Sequence, residues 1–262
     1  MTIYVPGKVT LAKEFTWNES VWNPSMLSTA LWLDAADVST ITESGGAVSQ
    51  WDDKSGNGRN VTQATSSRQP AYTSSGLNGK NVLTFADDFL SNATLDWGDS
   101  PSSVFIVLGP SGAGTFRNII ATGTGTINQW SYGIFSTNAY AIFQILVGAQ
   151  LFSVTTSITD ILCFTSAGRV STSVSATLTT NGTLNGTQTR SEANLTSAAG
   201  ITIGSNDIVN EPYVGFIAEI VLVPEIVSTK TRQQMEGYLA HKWGLTANLP
   251  ADHPYKTAVP VP

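Results

Sequence analysis

Short apolar runs separated by turn signals recur along the chain from residue 30 onward. The run Ser103–Leu108 is continuous, as in a strand buried on both faces. Val174, Ala176 and Leu178 alternate with Ser and Thr before an Asn181-Gly182 pair, a pattern that predicts a β-hairpin. About a dozen such runs with few helical stretches between them favour a two-sheet antiparallel sandwich over parallel βαβ units.

The same pattern predicts the positions of individual strands and turns. Trp32, Trp51 and Trp243 lie inside the strongest periodic blocks and are predicted to be core residues. Turns are predicted at the Asn-Gly pairs 78–79, 181–182 and 185–186. The clearest predicted strands are Leu31–Leu33, Val48–Trp51, Asn81–Ala86, Ser103–Leu108, Tyr140–Val154, Ile201–Ile203 and Phe216–Val223.

One helix stands out, from residue 228 to 243. Ser228 or Thr229 can cap its start by accepting a hydrogen bond from a free backbone N–H. Apolar residues recur at spacings of three and four, which gives one apolar stripe. Gly244 follows where a left-handed C-terminal cap is expected. The helix is therefore predicted to pack across a sheet face or edge, ahead of a Pro-rich tail.

Residues 1–25 look like an arm that precedes the sandwich domain, residues 26–262. Trp17 and Trp22 are large apolar side chains outside any periodic pattern, so they need a partner surface. Two partners are open: the chain's own domain, or another subunit or particle to which the arm attaches the protein.

Composition and charge exclude several classes of function. The net charge of −6 gives no electrostatic footprint for nucleic acid or an anionic membrane surface. One cysteine, Cys163, excludes an internal disulfide framework, and two histidines, His241 and His253, leave little for a zinc site or a His-based triad. No apolar run approaches the roughly 20 residues of a membrane span, and no secretory signal is visible.

Two blocks of sequence carry a family resemblance. The first contains ALWLDAADVSTIT, VSQWDDKSGNGRNVTQ, QPAY and NGKNVLTF, and the second is FIAEIVLVPEIVSTKTRQQMEGYLAHKWGLTANLPADHPYK. Together they resemble the concanavalin A-like lectin/glucanase (laminin-G-like) domains of tailed-bacteriophage virion proteins and some bacterial surface proteins. The resemblance implies two curved antiparallel sheets of jelly-roll type, with carbohydrate or calcium at the loops. It also implies a location on the particle surface.

Hydrolases of this sandwich carry acids at alternate positions of one strand, so that both face the same side. Glu219 is the best local candidate here, but Val221 occupies the place of the second acid and Glu225 lies beyond Pro224. The pair is therefore expected to be broken, and Glu219 to be a structural acid with a local partner. No catalytic residue is predicted.

An acidic loop follows the second predicted strand. Asp52, Asp53 and Asn57 supply the oxygen atoms that calcium prefers, and Asp87 with Asp88 forms another acidic loop that could join them. Lys54 adds an opposing charge. The alternative is an Asx turn, in which Asn57-Gly58 supplies positive φ and the carboxylates accept bonds from free N–H groups. Calcium is thus the one cofactor considered.

Sugar binding needs an exposed aromatic platform with amides or carboxylates beside it. Aromatic and amide residues near predicted loop ends meet this description. The candidate glycan-binding residues are Trp97, Asn128, Trp130, Tyr132 and Tyr213.

The favoured function is that of a non-enzymatic bacteriophage virion surface protein. It would be a capsid decoration protein or head fibre, or a tail adhesin, made in the host cytoplasm without a signal peptide. Its expected partners are other virion proteins, further copies in a homo-oligomer such as a trimer, and a host-surface glycan, with no nucleic acid and no membrane insertion. The alternatives are a secreted carbohydrate-binding module or glycoside hydrolase of the same fold, and a structural cement protein without ligand.

Overall fold

A computed structural model describes most of the chain. The described residues are 21–95, 102–110, 117–122, 130–135, 140–145, 150–155, 160–170, 173–191, 200–205 and 212–262. They contain seventeen β-strands and one α-helix. No helix within these ranges is long and apolar enough to cross a membrane.

The strands are numbered in chain order, and the helix follows them. They are β1 (Leu31–Asp34), β2 (Ile41–Ser44), β3 (Ala47–Trp51), β4 (Val61–Thr62), β5 (Ala71–Leu77), β6 (Lys80–Ala86), β7 (Leu90–Asn92), β8 (Ser102–Pro110), β9 (Arg117–Thr122), β10 (Trp130–Phe135), β11 (Tyr140–Ile145), β12 (Gln150–Thr155), β13 (Asp160–Val170), β14 (Ser173–Thr180), β15 (Thr183–Ser191), β16 (Ile201–Ile203), β17 (Val214–Val223) and α1 (Thr229–Trp243).

Antiparallel pairing arranges these strands in two layers. The first layer runs β15–β14–β13–β8–β17, and the far edge of β17 pairs with both β6 and β1. The second layer runs β12–β11–β10–β9–β16–β7–β4–β3–β2. Strand β5 pairs with β6 and joins the layers through the Ala47–Ala71 bridge to β3. The predicted all-β antiparallel sandwich with one C-terminal helix is confirmed.

Strands β8 and β17 are buried on both faces, as their apolar runs predict. One face of this pair, with Val104 and Leu222, packs into the core between the two layers. The other face, with Phe105 and Val221, packs under α1 in a second core. Because the strands alternate their side chains, the central strands serve two separate cores at once.

Helix α1 begins and ends where the sequence predicts. The Ser228 hydroxyl accepts a bond from the Thr231 N–H, and Gly244 adopts the left-handed conformation with φ 70°. Its apolar stripe is buried at Met235, Tyr238 and Leu239. The C-terminal tail packs on the helix, so that a Cβ on Gly237 would lie 2.5 Å from the Cβ of Tyr255.

Two of the three predicted Asn-Gly turns are confirmed, and one is wrong. Asn78-Gly79 and Asn181-Gly182 have positive φ at both residues, which closes two-residue hairpins. Asn185 instead lies within β15, where Leu178 pairs with Gly186 and Thr179 with Leu184. Asn185 is the extra residue of a β-bulge, because the hairpin had already turned four residues earlier.

The start of the described chain belongs to the domain itself. Trp22 is only 4% exposed, and its ring packs edge-on against Tyr238 with centroids 6.4 Å apart. Trp22 is therefore not available to attach the protein to another surface, because its apolar ring completes the core under α1. Trp17 precedes the described residues.

Candidate functional site

Three buried charged side chains gather where β1 and β17 meet α1. Asp34 on β1 lies directly opposite Glu219 on β17, and Lys242 reaches both from the helix. Lys54 and Asp37 extend the group toward solvent, with side chains 24% and 34% exposed. These five residues are called the acid–lysine cluster below.

Glu219 is fully buried, and four donors surround its carboxylate. Oε1 accepts from Trp32 Nε1 at 2.8 Å and from the Tyr238 hydroxyl at 3.2 Å. Oε2 accepts from Lys242 Nζ at 2.7 Å and from Trp243 Nε1 at 2.6 Å. A buried carboxylate is tolerated only when it is paired and hydrogen-bonded. The expectation that Glu219 is an acid with local partners is confirmed.

Lys242 fills the space between the two acids. Its Nζ lies 2.7 Å from Asp34 Oδ1 and 2.7 Å from Glu219 Oε2, and the lysine side chain is 8% exposed. Asp34 Oδ2 accepts from Lys54 Nζ at 2.8 Å, and that nitrogen also lies 2.8 Å from Asp37 Oδ2. Two ammonium groups thus face three carboxylates.

The pKa values of the two buried acids, Asp34 and Glu219, are shifted in opposite directions. Burial raises the pKa of Glu219; the charge of Lys242 opposes this shift, and the charge of Asp34 adds to it. Burial also acts to raise the pKa of Asp34, but Lys242 and Lys54 outweigh it, so its pKa lies below the usual value. If Glu219 carries a proton, two ammonium groups face two carboxylates and the charges balance. This agrees with a raised pKa for Glu219 and a lowered pKa for Asp34.

The second acid beside Glu219 comes from a different strand. The alternation along β17 indicated position 221, which is a valine, whereas the acid is Asp34 on the neighbouring strand β1. The pair along β17 is broken at Val221, as the sequence indicates, but strand pairing places Asp34 opposite Glu219. Even so, the ammonium of Lys242 lies between the acids, and α1 covers them.

The acidic loop that follows β3 covers the outer edge of β1. Asp53 Oδ1 accepts the Trp32 N–H at 2.9 Å, and the Trp32 carbonyl accepts the Lys54 N–H at 2.8 Å. Asn57 Nδ2 donates to the Thr29 carbonyl at 2.9 Å. These bonds satisfy the free backbone groups of an edge strand.

This loop geometry favours the Asx turn over the calcium site. Asp53 Oδ1 also accepts the Ser55 N–H, and Oδ2 accepts from the Ser55 hydroxyl and the Arg59 N–H. Asp52 accepts from Gln50 Nε2 at 2.7 Å. Positive φ occurs at Gly56 and Gly58, not at Asn57.

The second acidic loop has a partner of its own. Asp87 pairs with Arg68 at 2.8 Å, and Asp88 accepts the Ala86 N–H. Within the described ranges, no three His, Cys, Asp or Glu side chains are grouped so as to hold a metal ion. Calcium binding by Asp52, Asp53 and Asn57 stays a prediction, and the hydrogen bonds to the Asp53 oxygens do not support it.

A third buried acid, Glu236, connects α1 to the hairpin and the C-terminal tail. Its carboxylate accepts from Arg232 Nη1 at 2.6 Å and from the Thr179 hydroxyl at 3.1 Å. His253 Nε2 lies 3.2 Å away, while His253 Nδ1 accepts the Tyr255 N–H. Nε2 is therefore the ring nitrogen that bears hydrogen, and its N–H donates a hydrogen bond to the Glu236 carboxylate. No sequence pattern indicated this contact between hairpin, helix and tail.

Only one predicted glycan-binding side chain can be placed, and that prediction is wrong. Tyr213 is fully buried; its hydroxyl donates to the Phe216 carbonyl at 3.1 Å, and its ring packs edge-on against Phe85. It cannot form an exposed platform because it belongs to the core between the layers. Trp97 and Asn128 fall in the gaps between described ranges, and Trp130 and Tyr132 are described only as backbone of β10.

Comparison with known proteins shows similarity of fold. The chain matches no family model and no curated protein. Among solved structures it is similar to a GH54 α-L-arabinofuranosidase mutant soaked with 4-nitrophenyl α-L-arabinofuranoside, with 14% identity and a TM-score of 0.55, over 86% of this chain and 60% of that one. An arabinofuranosidase complexed with arabinofuranosyl-α-1,2-xylobiose gives 13% identity and a TM-score of 0.54, over 86% and 59%.

The receptor-binding domain of botulinum neurotoxin type G is also similar. It gives 12% identity and a TM-score of 0.52, over 77% of this chain and 49% of that one. The chain thus spans between about half and three-fifths of the length of these structures. What it shares with them is the β-sandwich architecture.

Proposed function

We propose that this protein is a carbohydrate-binding β-sandwich that does not cleave glycosidic bonds. The observation that carries the proposal is the extent of the fold similarity, which spans 86% of the chain in the arabinofuranosidase structures. Because one fold serves many functions, this similarity supports a ligand class and not a reaction.

The acid–lysine cluster supports the non-catalytic part of the proposal. Retaining and inverting glycosidases need two carboxyl groups with a sugar between them. Here Lys242 Nζ lies 2.7 Å from each acid, and Glu219 has no exposed surface. A substrate would have to displace both the ammonium and the helix.

The composition supports a neutral, hydroxyl-rich ligand. Charged residues make up 12% of the chain, about half the usual share. Such a surface offers hydroxyl and amide groups to a sugar but little attraction to a strongly charged polymer. Arabinose-substituted xylans are the first ligands to test, given the compound bound in the similar arabinofuranosidase.

Display on a bacteriophage particle is the finer part of the proposal. It rests on the sequence resemblance described above. Labelling of intact particles with an antibody to this chain, viewed by electron microscopy, tests it directly. Label at the capsid would favour decoration, label at the tail an adhesin, and unlabelled particles would contradict the placement.

A glycan array combined with a reducing-end assay tests the ligand and the absence of cleavage. We expect binding to at least one neutral glycan and no release of sugar. Trp97→Ala and Trp130→Ala are expected to weaken binding, and Leu184→Ala, which removes an exposed apolar side chain, serves as the control.

Two results would contradict the proposal. Sugar release that disappears in Glu219→Gln would make the protein a hydrolase. Failure to bind any glycan would favour the structural cement protein instead.

A further inference from the structure

A lysine amine and a carboxyl group are held together in a buried site where β1, β17 and α1 meet. Lys242 Nζ lies 2.7 Å from Asp34 Oδ1, and both side chains are more than nine-tenths buried. The rings of Tyr238 and Trp243 lie beside the ammonium, with centroids 5.4 Å and 5.3 Å from Nζ. Reacting groups held in this way behave as an intramolecular pair of very high effective concentration.

Two further groups touch the reacting atoms. Glu219 Oε2 lies 2.7 Å from the same Nζ and can accept a proton from it. Lys54 Nζ lies 2.8 Å from Asp34 Oδ2 and can stabilise negative charge that develops there. The site thus contains a nucleophile, an electrophile, a proton acceptor and a stabilising cation.

We propose that Lys242 and Asp34 join in an intramolecular isopeptide bond. Glu219 first takes one proton from the ammonium and passes it to Asp34 Oδ1, which gives a neutral amine and a carboxylic acid. Nζ then attacks Cγ, and Oδ1 leaves as water after Glu219 has moved a second proton from nitrogen to that oxygen. One C–N bond forms, one C–O bond breaks and one water is released, with no oxidant or other reactant.

The surroundings favour this reaction over a permanent ion pair. A buried ion pair pays a large desolvation cost, and formation of the amide removes both charges. Burial raises the pKa of Glu219, which suits a group that must carry a proton during the transfer. Exclusion of water also protects the amide once it has formed. The bond would fasten α1 to the first strand of the sandwich.

Intact-mass spectrometry of the full chain under denaturing conditions tests the proposal. We expect a mass lower than the sequence mass by one water. Trypsin cannot cleave after an acylated lysine, so the digest should contain one branched peptide that joins residues 14–54 to residues 233–256. A full sequence mass would overturn the proposal, as would a water loss that maps to any other residue.

Variants separate the bond from the role of Glu219. Lys242→Arg should restore the full mass, whereas Lys230→Arg, an exposed position on the same helix, should keep the branched peptide. Glu219→Gln should abolish or greatly slow the loss of water. Retention of the bond in Glu219→Gln would overturn the role of Glu219. The mass of the unaltered chain decides the main question even where a variant fails to fold.

Discussion

The two cores of this protein are built on different principles, although β8 and β17 contribute to both. The core between the layers contains apolar side chains from both sheets, with Trp51 and Phe85 among the largest. The core under α1 contains apolar side chains together with the buried charged groups of Asp34, Glu219 and Lys242. Packing density stabilises the first, whereas the second also depends on paired charges, and this difference can be tested.

The largest expected effect is in the core under α1. Lys242→Met should lower the free energy of unfolding by about 4 kcal/mol, because it removes the nitrogen that joins two buried acids, as an ion pair or as an amide. Urea denaturation followed by circular dichroism measures the loss. Lys230→Met on the same helix should cost less than about 0.5 kcal/mol. Equal losses for both variants would mean that the buried charges contribute nothing.

A substitution that leaves a cavity tests the stability of the core between the layers in the same way. Leu33→Ala should cost about 3 kcal/mol, because Leu33 is fully buried and its removal leaves a void. The same denaturation experiment applies, with Leu184→Ala, at an exposed side chain, as the control. The cost should be independent of pH, and a strong pH dependence would show that the two cores are not separate.

The pH dependence of Glu219 sharpens the contrast. Its folded pKa is raised by burial above the ordinary value of 4.5, so the native state binds more protons than the unfolded state over that interval. The contribution of Glu219 to stability is therefore present at low pH and is lost as pH rises through the folded pKa.

Comparison with a variant isolates this contribution. The stability of the unaltered chain minus that of Glu219→Gln should fall as pH rises above the ordinary glutamate pKa of 4.5. Urea denaturation at a series of pH values measures the difference. A difference that rises with pH would reverse the sign of the inferred pKa shift.

The cap of α1 tests how far the helix depends on its own sequence. Ser228→Ala should cost about 1 kcal/mol, because the Thr231 N–H loses its acceptor. Thermal unfolding measures the effect, and Ser228→Asp, which keeps an acceptor, should be close to neutral. A loss as large as that of Lys242→Met would mean that local capping holds the helix as strongly as the buried charges do.

The smallest expected effect lies at the exposed end of the acid–lysine cluster. Asp37→Ala should cost less than about 1 kcal/mol, since its pair with Lys54 is partly solvated. The cost should shrink further when the denaturation is repeated at high salt. A cost that exceeds that of Leu33→Ala would show that the buried pairs depend on this outer one.

Local pattern predicted the parts of the fold that local physics determines. The run at Ser103–Leu108, the caps at Ser228 and Gly244 and the turn at Asn181-Gly182 are each set by residues close together in the sequence. Asn185-Gly186 resembles the same turn signal but lies in a bulge, because the strand register was already fixed by the preceding turn.

The candidate site was harder to predict because its members are far apart in the chain. Asp34, Glu219 and Lys242 come together only through strand pairing and helix docking. Tyr213 and Trp22 show a second limit of prediction from sequence. An aromatic residue in a polar stretch can belong to an exposed binding surface or to a core, and these two belong to cores. Only the packing of the whole domain distinguishes these cases.

The Trp22 N–H donates to the Pro260 carbonyl at 3.0 Å, and this contact has a consequence for protein engineering. Residues 22 and 260 therefore lie side by side. A linker that joins the chain at these two residues should allow new termini to be opened in a surface turn such as Asn78-Gly79.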